Sequence, residues 1–474
     1  MKVAINALAM SLAVAGLLTA ATVSVRAQTY ALEFVSTAAG GAVMDPAGSI
    51  IAGWANLAPT CTGCPPTFSV PSLWVGGKRF TLSVPANRAY LSFAGINAQG
   101  WLIGTSWDFS STVGTATLWK VRPDQTGFDM LELPTLPGRA SASATGIDNQ
   151  GRVVGVSNTW FTAPDEAFIW TQAGGMLPLT SLGHSGEKPL GISPGGTVAT
   201  ASFTYLLGQP STVQPVAPSP PGWNRNSIGA VQVNDRGDRA FTMLTTAPSN
   251  PLAYMFRYQA VGTWQQIGFG GSGMLSSGGV GAIDPVGTVV GTELSQGVRA
   301  AGPDGTAVTL TSLLSPAYAG TFVNSGNDLA TDGAILASTT IGRASRLTRM
   351  VPVQPCVSNC LRVGSLVVSG KIVYEPRKPG QCTTRAKTTA SAQVKVVDAS
   401  GQPVRGAVVN GRFLDDNYLD GKVSLTTNLQ GVALAQHSGP ACVGAIAFFV
   451  DSVSKSGFTL DRSTGTLTSF VVPQ

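Results

Sequence analysis

This chain is short of charge, of histidine and of any pattern that would build long helices. Asp, Glu, Lys and Arg make up only 11% of its 474 residues, and there are two histidines, His184 and His437. Long solvated helices would need more Ala, Glu, Lys and Leu at helical spacing. The net charge of +6 is thin over this length, and no basic run carries interleaved aromatics. Nucleic-acid binding is therefore disfavoured. Beyond the N-terminus no stretch reaches the roughly 18–20 uninterrupted apolar residues of a spanning helix, so no transmembrane segment is expected in the mature chain.

Catalytic constellations are equally scarce. A Ser-His-Asp triad needs a Ser and an Asp within reach of a His, and both histidines stand in loop-like surroundings. The only Gly-x-Ser-x-Gly is Gly191–Gly195. Its Ser193 occupies a turn and lacks the strand-to-helix elbow that activates such a serine. Glu is sparse, and the one acidic pair outside a turn, Asp415-Asp416, reads as a solvated loop. No catalytic residue, no metal ligand and no cofactor is expected.

Other features are abundant. The chain opens with Lys2, an apolar run and "VRA", the layout of a secretory signal peptide cleaved after Ala27. The mature protein then starts at Gln28 and is exported, to the periplasm or the extracellular space. Gly (57) and Pro (30) are plentiful while alternating apolar residues persist, the balance of many short strands joined by many turns.

Self-similarity organises the body of the chain. "GIDNQGRVVG" (146–155) recurs as "VMDPAGSIIAG" (43–53), "GINAQGWLIG" (95–104) and "GISPGGTVAT" (191–200). It returns in "VQVNDRGDRAFT" (231–242), "GAIDPVGTVVG" (281–291) and a degenerate "LATDGAILAS" (329–338). The central glycines, Gly48, Gly100, Gly151, Gly196, Gly237, Gly287 and Gly333, are spaced 41 to 52 residues apart. That is the period of a four-stranded propeller blade.

Six copies lead to their glycine from Asp45, Asn97, Asp148, Ser193, Asn234 or Asp284, with Pro46, Pro194 and Pro285 at the next position. Asp, Asn or Ser first, Pro second and Gly fourth is the preference of a type I turn, whose short polar side chain accepts backbone hydrogen bonds. A calcium loop would need six to eight oxygen ligands, whereas each copy offers one dependable oxygen side chain. "NDRGD" (234–238) is the single calcium candidate. After each turn comes a second element: "VPSLW", "TATLW", "EAFIW" and "LAYMF" place Trp74, Trp119, Trp170 and Phe256 at corresponding positions. Large apolar residues at repeat positions are expected in the packing between blades.

The pairing of "GIDNQGRVVG" with "EAFIW" resembles the HAF repeats of secreted bacterial proteins, over roughly residues 40–350. That resemblance implies a β-propeller-like array and no enzymatic activity. The His-Ala-Phe tripeptide of that family is here Glu166-Ala167-Phe168, so no role of its histidine carries over.

"MVPVQPCVSNC" marks a boundary: residues 28–350 form the propeller-like domain, 351–360 a Cys-containing linker and 361–474 a second domain. Short alternating strands in that tail read as a β-sandwich. "VVDASGQPVRGAVV" and "TTNLQGVAL" resemble the immunoglobulin-like modules that trail bacterial secreted proteins.

Export makes disulfides the expected state of the six cysteines. Cys382 and Cys442 stand alone in the tail and are expected to pair. Cys61 and Cys64 lie in a seven-residue excess of the first repeat, and cross-bonding them to Cys356 and Cys360 would staple the first blade to the last. A four-Cys zinc site and a redox Cys-x-x-Cys are disfavoured by export and by Pro65 and Pro66. The expected function is that of a non-catalytic binding or structural protein whose propeller loops contact a glycan or protein partner. The alternative is a polysaccharide-active enzyme, a hydrolase or lyase, whose carboxylates come from different blades and cluster at one mouth of the ring.

Overall fold

A computed structural model describes residues 28–473 apart from 39–40, 57–68, 109–112, 159–164, 219–220, 222, 225–230, 246–252, 261, 268–278, 294, 301–304, 375–385, 417–418 and 441–442. Its body is a ring of seven antiparallel sheets, each following the repeat found in the sequence. The innermost strands are Val43–Met44, Arg88–Ile96, Ser141–Ile147, Gly191–Ile192, Val231–Val233, Val280–Ile283 and Phe322–Leu329. We number the blades one to seven in that order. Together they wall a central channel of about 1170 Å³.

The repeat motif is a hairpin between the first and second strands of each blade. At Asp148 one carboxylate oxygen accepts the N–H groups of Gln150 and Arg152, both at 2.9 Å. The Gly151 N–H donates to the Asp148 carbonyl at 3.0 Å, and Gly151 takes φ +76°. Only glycine adopts such a backbone without strain. Asp45, Asn97, Ser193, Asn234 and Asp284 accept from their turns in the same way.

The glycine four residues further on has a different cause. In blades two, three and six the innermost strand carries a β-bulge, at Ala94, Thr145 and Gly281. A Cβ on the facing residues Gly104, Gly155 and Gly291 would collide with the carbonyls of Ser92, Ser143 and Gly279. Blades four and five put Thr200 and Phe241 at that position, and their ladders run without a bulge. Thus the repeat encodes one positive-φ turn and one close approach beneath a bulge, which re-aims a side chain toward the channel.

Each blade seals against the one before it. Trp119 of blade two is fully buried against Leu73 and Leu91, with its indole N–H on the Ser83 carbonyl at 2.9 Å. Trp170 of blade three packs with Ile103 and Ala116 of blade two, and Phe256 of blade five with Ala199 of blade four. Trp74 of blade one lies against the blade-seven core around Leu336 and Leu347.

Ring closure differs from the stapling expected of the cysteines. Cys356 is bonded to Cys360, with Cα atoms 5.9 Å apart, so neither is left to bridge to the first blade. Cys61, Cys64, Cys382 and Cys442 lie outside the described residues. The ring is closed by the chain itself: strand Thr29–Ser36 adds antiparallel to Ala344–Val353 as the outermost strand of blade seven. A whole row of ladder hydrogen bonds holds the first residues to the last blade. That closure needs no covalent link.

After blade seven the chain enters a sandwich of two sheets. One contains Cys360–Val373, Lys387–Asp398, Val432–Pro440 and Thr459–Leu460; the other Val408–Asp415, Asp420–Thr426, Ile446–Ser454 and Thr468–Val471. Its core is continuous with blade seven through Tyr30, Leu32, Tyr318, Leu361 and Phe449. The Arg346 guanidinium, fully buried, donates to the carbonyls of Thr37 and Asp415 and so spans the junction. Asp415 therefore ends a strand at this seam, and its neighbour Asp416 accepts the Gly444 N–H at 2.8 Å. The two carboxylates thus hold backbone N–H groups of the sandwich, Leu419 and Gly444, rather than standing in a solvated loop.

Candidate active site

The seven turns ring one mouth of the channel and are stitched to one another. Asn97 donates to the Asp148 carbonyl at 2.9 Å, Asn149 N–H to the Pro194 carbonyl at 2.8 Å, and Asn234 to the Asp284 carbonyl at 3.0 Å. Gly195 N–H donates to the Asp235 carboxylate at 2.7 Å, and the Thr331 hydroxyl of blade seven donates to the Pro46 carbonyl of blade one at 2.9 Å. Most acidic turn residues are consumed by this framework. Asp148 is fully buried and its second oxygen takes the Arg152 Nε at 2.6 Å. Asp148→Ala leaves that guanidinium unpaired beside the Gly196 turn and is expected to cost about 3–5 kcal/mol; equilibrium denaturation against wild type checks this.

The calcium candidate is occupied in the same way. Asp238 accepts the Ala260 N–H at 3.0 Å on one oxygen and Asn234 and Arg236 on the other. Burial alone would push it up, but the Ala260 N–H, Asn234 and Arg236 outweigh that and hold it below the ordinary Asp range. Ser193 is buried, with its hydroxyl oxygen accepting the Thr197 N–H at 2.9 Å, as a turn residue does. His184 is buried in blade four, stacked on Tyr205 at 4.2 Å, and its Nε2 accepts the Gly208 N–H at 3.0 Å. His437 packs on Phe413 in the sandwich. Burial lowers the pKa of both. Neither histidine lines the channel.

One carboxyl departs from this pattern. Two residues before the turn, the blades carry Val43, Gly95, Gly146, Gly191, Gln232 and Ala282, and in blade seven Asp328. Blade seven has Ala330 at the first turn position, and its turn is held instead by Asp332, which accepts the Ala334 N–H at 2.9 Å. Asp328 is an additional acid, set on the channel wall. A bulge at Asn327 presents this part of the strand, and Asn327 and Asp328 both line the channel.

Asp328 is walled by protein and only partly open to solvent. Its Oδ2 accepts the Met44 N–H of blade one at 2.7 Å and its Oδ1 the Leu329 N–H at 2.7 Å. Burial pushes its pKa up to about 7; the two N–H groups oppose that shift, and the neighbouring Asp45 carboxylate reinforces it. A carboxyl titrating near neutrality in a cleft is a candidate general acid–base group. Asp45 comes from a different blade, and Asp235 and Asp284 line the same mouth.

The opposite mouth has another character. Trp54 of blade one's second strand is partly buried and lines the channel beside Phe93, ring centroids 6.2 Å apart. Ser92, Lys188 and Thr292 complete the polar lining at that height.

The degenerate seventh repeat hid the site from the sequence. Extending each copy two residues upstream of its turn exposes Asp328 as the departure, so the signal was there.

No family model and no curated protein matches the chain. Among solved structures it is similar to a gluconolactonase from Xanthomonas campestris, at 10% identity and TM-score 0.31 over 69% of this chain and 87% of that one. A putative gluconolactonase (11%, TM-score 0.33, 68% and 92% covered) and the polysaccharide lyase Uly1 (11%, TM-score 0.30, 69% and 78%) are also similar. These similar structures are of enzymes, against the expectation of a non-catalytic binding or structural protein, and at this identity and TM-score the likeness is one of fold alone. Sequence reasoning assigned the repeat acids to turns and never counted Asp328. The substrates named for those structures are theirs.

Proposed function

We propose that the protein is a glycan-cleaving enzyme, a hydrolase or lyase, whose reaction takes place in the propeller channel. The observation that carries this reading is Asp328, a carboxyl held near neutral pKa on the channel wall exactly where the repeat elsewhere places residues without charge. Protonated, it can deliver a proton to a glycosidic oxygen; ionised, it can accept one from a sugar carbon or a water. Asp45, from the neighbouring blade, is buried with three hydrogen bonds from Ser49 and Ile50 and holds its turn, whereas among the described residues Asp235 and Asp284 are the other carboxyl groups that line the channel. The channel's about 1170 Å³ accommodates an oligosaccharide segment, and Trp54 with Phe93 offers a face for sugar rings.

The leader-like residues 1–27 and the Cys356–Cys360 disulfide support export, which places the enzyme where polysaccharides are met. Among the described residues no helix is long and apolar enough to cross a membrane. The test is product release from a panel of bacterial and plant polysaccharides by the chain from Gln28 to Gln474. Turnover of at least one glycan that disappears in Asp328→Asn is expected; retention of glycans with no products from any would overturn the reading.

A further inference from the structure

We infer that the channel selects anionic sugars, through Lys188 and the Trp54–Phe93 wall at the mouth opposite the turns. This deepens the glycan-cleaving reading and rests on it for the reaction, though not for the binding itself.

Three observations converge. First, Lys188 is the one Lys or Arg among the described residues that line the channel. It is exposed in the segment before Gly191–Ile192, and among the described residues no carboxylate pairs with it. A cation placed in a concave wall without a protein partner is available to a ligand anion. Second, the channel's carboxyl groups, Asp235, Asp284 and Asp328, belong to the turn side. Lys188 stands five residues before its turn residue Ser193, and Asp328 two before Ala330. Lys188 is thus set further from the ring of turns than Asp328. An anionic group is therefore drawn to the Lys188 mouth and repelled from the acid–base mouth, which fixes the direction in which a charged chain lies.

Third, Trp54 and Phe93 both line the channel, their ring centroids 6.2 Å apart. A sugar ring has C–H bonds on its faces and packs on such an aromatic surface, while its carboxylate or sulfate pairs with the ammonium across the channel. The ligand class that satisfies both is an anionic glycan. A neutral glycan would use the aromatic wall and leave the lysine idle.

The experiment measures equilibrium binding of size-matched oligosaccharides of polygalacturonate, dextran sulfate and dextran to the chain from Gln28 to Gln474 carrying Asp328→Asn, so that no substrate is consumed. At least one anionic glycan is expected to bind about ten-fold or more tighter than dextran, and Lys188→Gln to erase that preference. Trp54→Ala weakens the anionic and the neutral ligand alike. Lys455→Gln, on the sandwich, controls for the general positive charge and is expected to change nothing. The carboxylate and sulfate arms distinguish which anion the site takes. Equal binding of dextran, no binding of any probe, or an anionic preference untouched by Lys188→Gln would overturn the inference. Turnover in the wild type is assayed separately: a lysine-dependent preference without turnover keeps this inference and removes the catalytic reading. Turnover with no lysine-dependent preference does the reverse.

Discussion

Asp328→Asn is expected to lower glycan turnover by roughly 10²–10⁴-fold, the usual contribution of a positioned acid–base group. The same substitution should leave the propeller folded and change how its stability depends on pH. The sign follows from the site. Burial disfavours the carboxylate, so the folded-state pKa of about 7 lies above the ordinary 3.8 of an unfolded Asp. Stability from the protonated form is fully present below about pH 4 and is lost as the pH rises through about 7. Asn never ionises, so it removes that pH dependence, although its NH2 group cannot accept one of the two N–H groups, from Met44 and Leu329, that the carboxyl oxygens take. Melting temperatures across this window should therefore fall with pH more steeply in wild type than in Asp328→Asn, whatever the offset between the two proteins. Equal pH slopes in the two proteins would mean that Asp328 titrates like any surface carboxyl.

Removal of residues 28–36 is the second large effect expected. The strand Thr29–Ser36 pairs along most of its length with Ala344–Val353, and Tyr30, Ala31 and Leu32 are essentially without solvent exposure. They sit in the core shared by blades six and seven and the sandwich. Deletion strips the outer edge of blade seven, uncovers Phe449 and Tyr318, and leaves an unpaired strand edge open to other chains. The truncated protein should not fold to a soluble monomer. Because failure to fold has many causes, Leu32→Ala supplies the graded test. It should cost about 2–5 kcal/mol by the cavity it leaves, read by chemical denaturation. A peptide of residues 28–36 added in trans should restore part of the stability of a refolded truncation. A Leu32→Ala variant as stable as wild type would mean that the ring does not depend on this strand.

These two results bear on what could be seen in the sequence. The repeat was visible because turn chemistry is local: an Asp, Asn or Ser that accepts from N–H groups two and four residues on, then a glycine at positive φ, leaves a mark in any one copy. The bulge glycines Gly104, Gly155 and Gly291 share that legibility, although their cause, a carbonyl of the facing strand, appears only in three dimensions. Ring closure was not visible. Nothing in "TYALEFVS" announces that it pairs with residues more than three hundred positions away, since strand pairing is set by topology rather than by local preference. The cysteines drew attention to the correct seam and to the wrong bond.

The site was hidden for a further reason. Asp328 lies outside the motif, in the one copy too irregular to align well, and an aspartate in an Asp-rich repeat family is easily assigned to a turn. Function sits where the local pattern fails. Trp54 was equally hidden, because which side of its strand meets the channel is set by how the blades close into a ring and not by its neighbours in the sequence.

The central claim is that blade seven places on the channel wall a carboxyl that titrates near neutrality. Its most direct test is a carbon-13 NMR titration of the aspartate side-chain carboxyl groups in wild type, with Asp328→Asn used to assign the signal. The account predicts one carboxyl, absent from the variant, with a midpoint near pH 7. A midpoint in the ordinary range near 4 for Asp328 would contradict it.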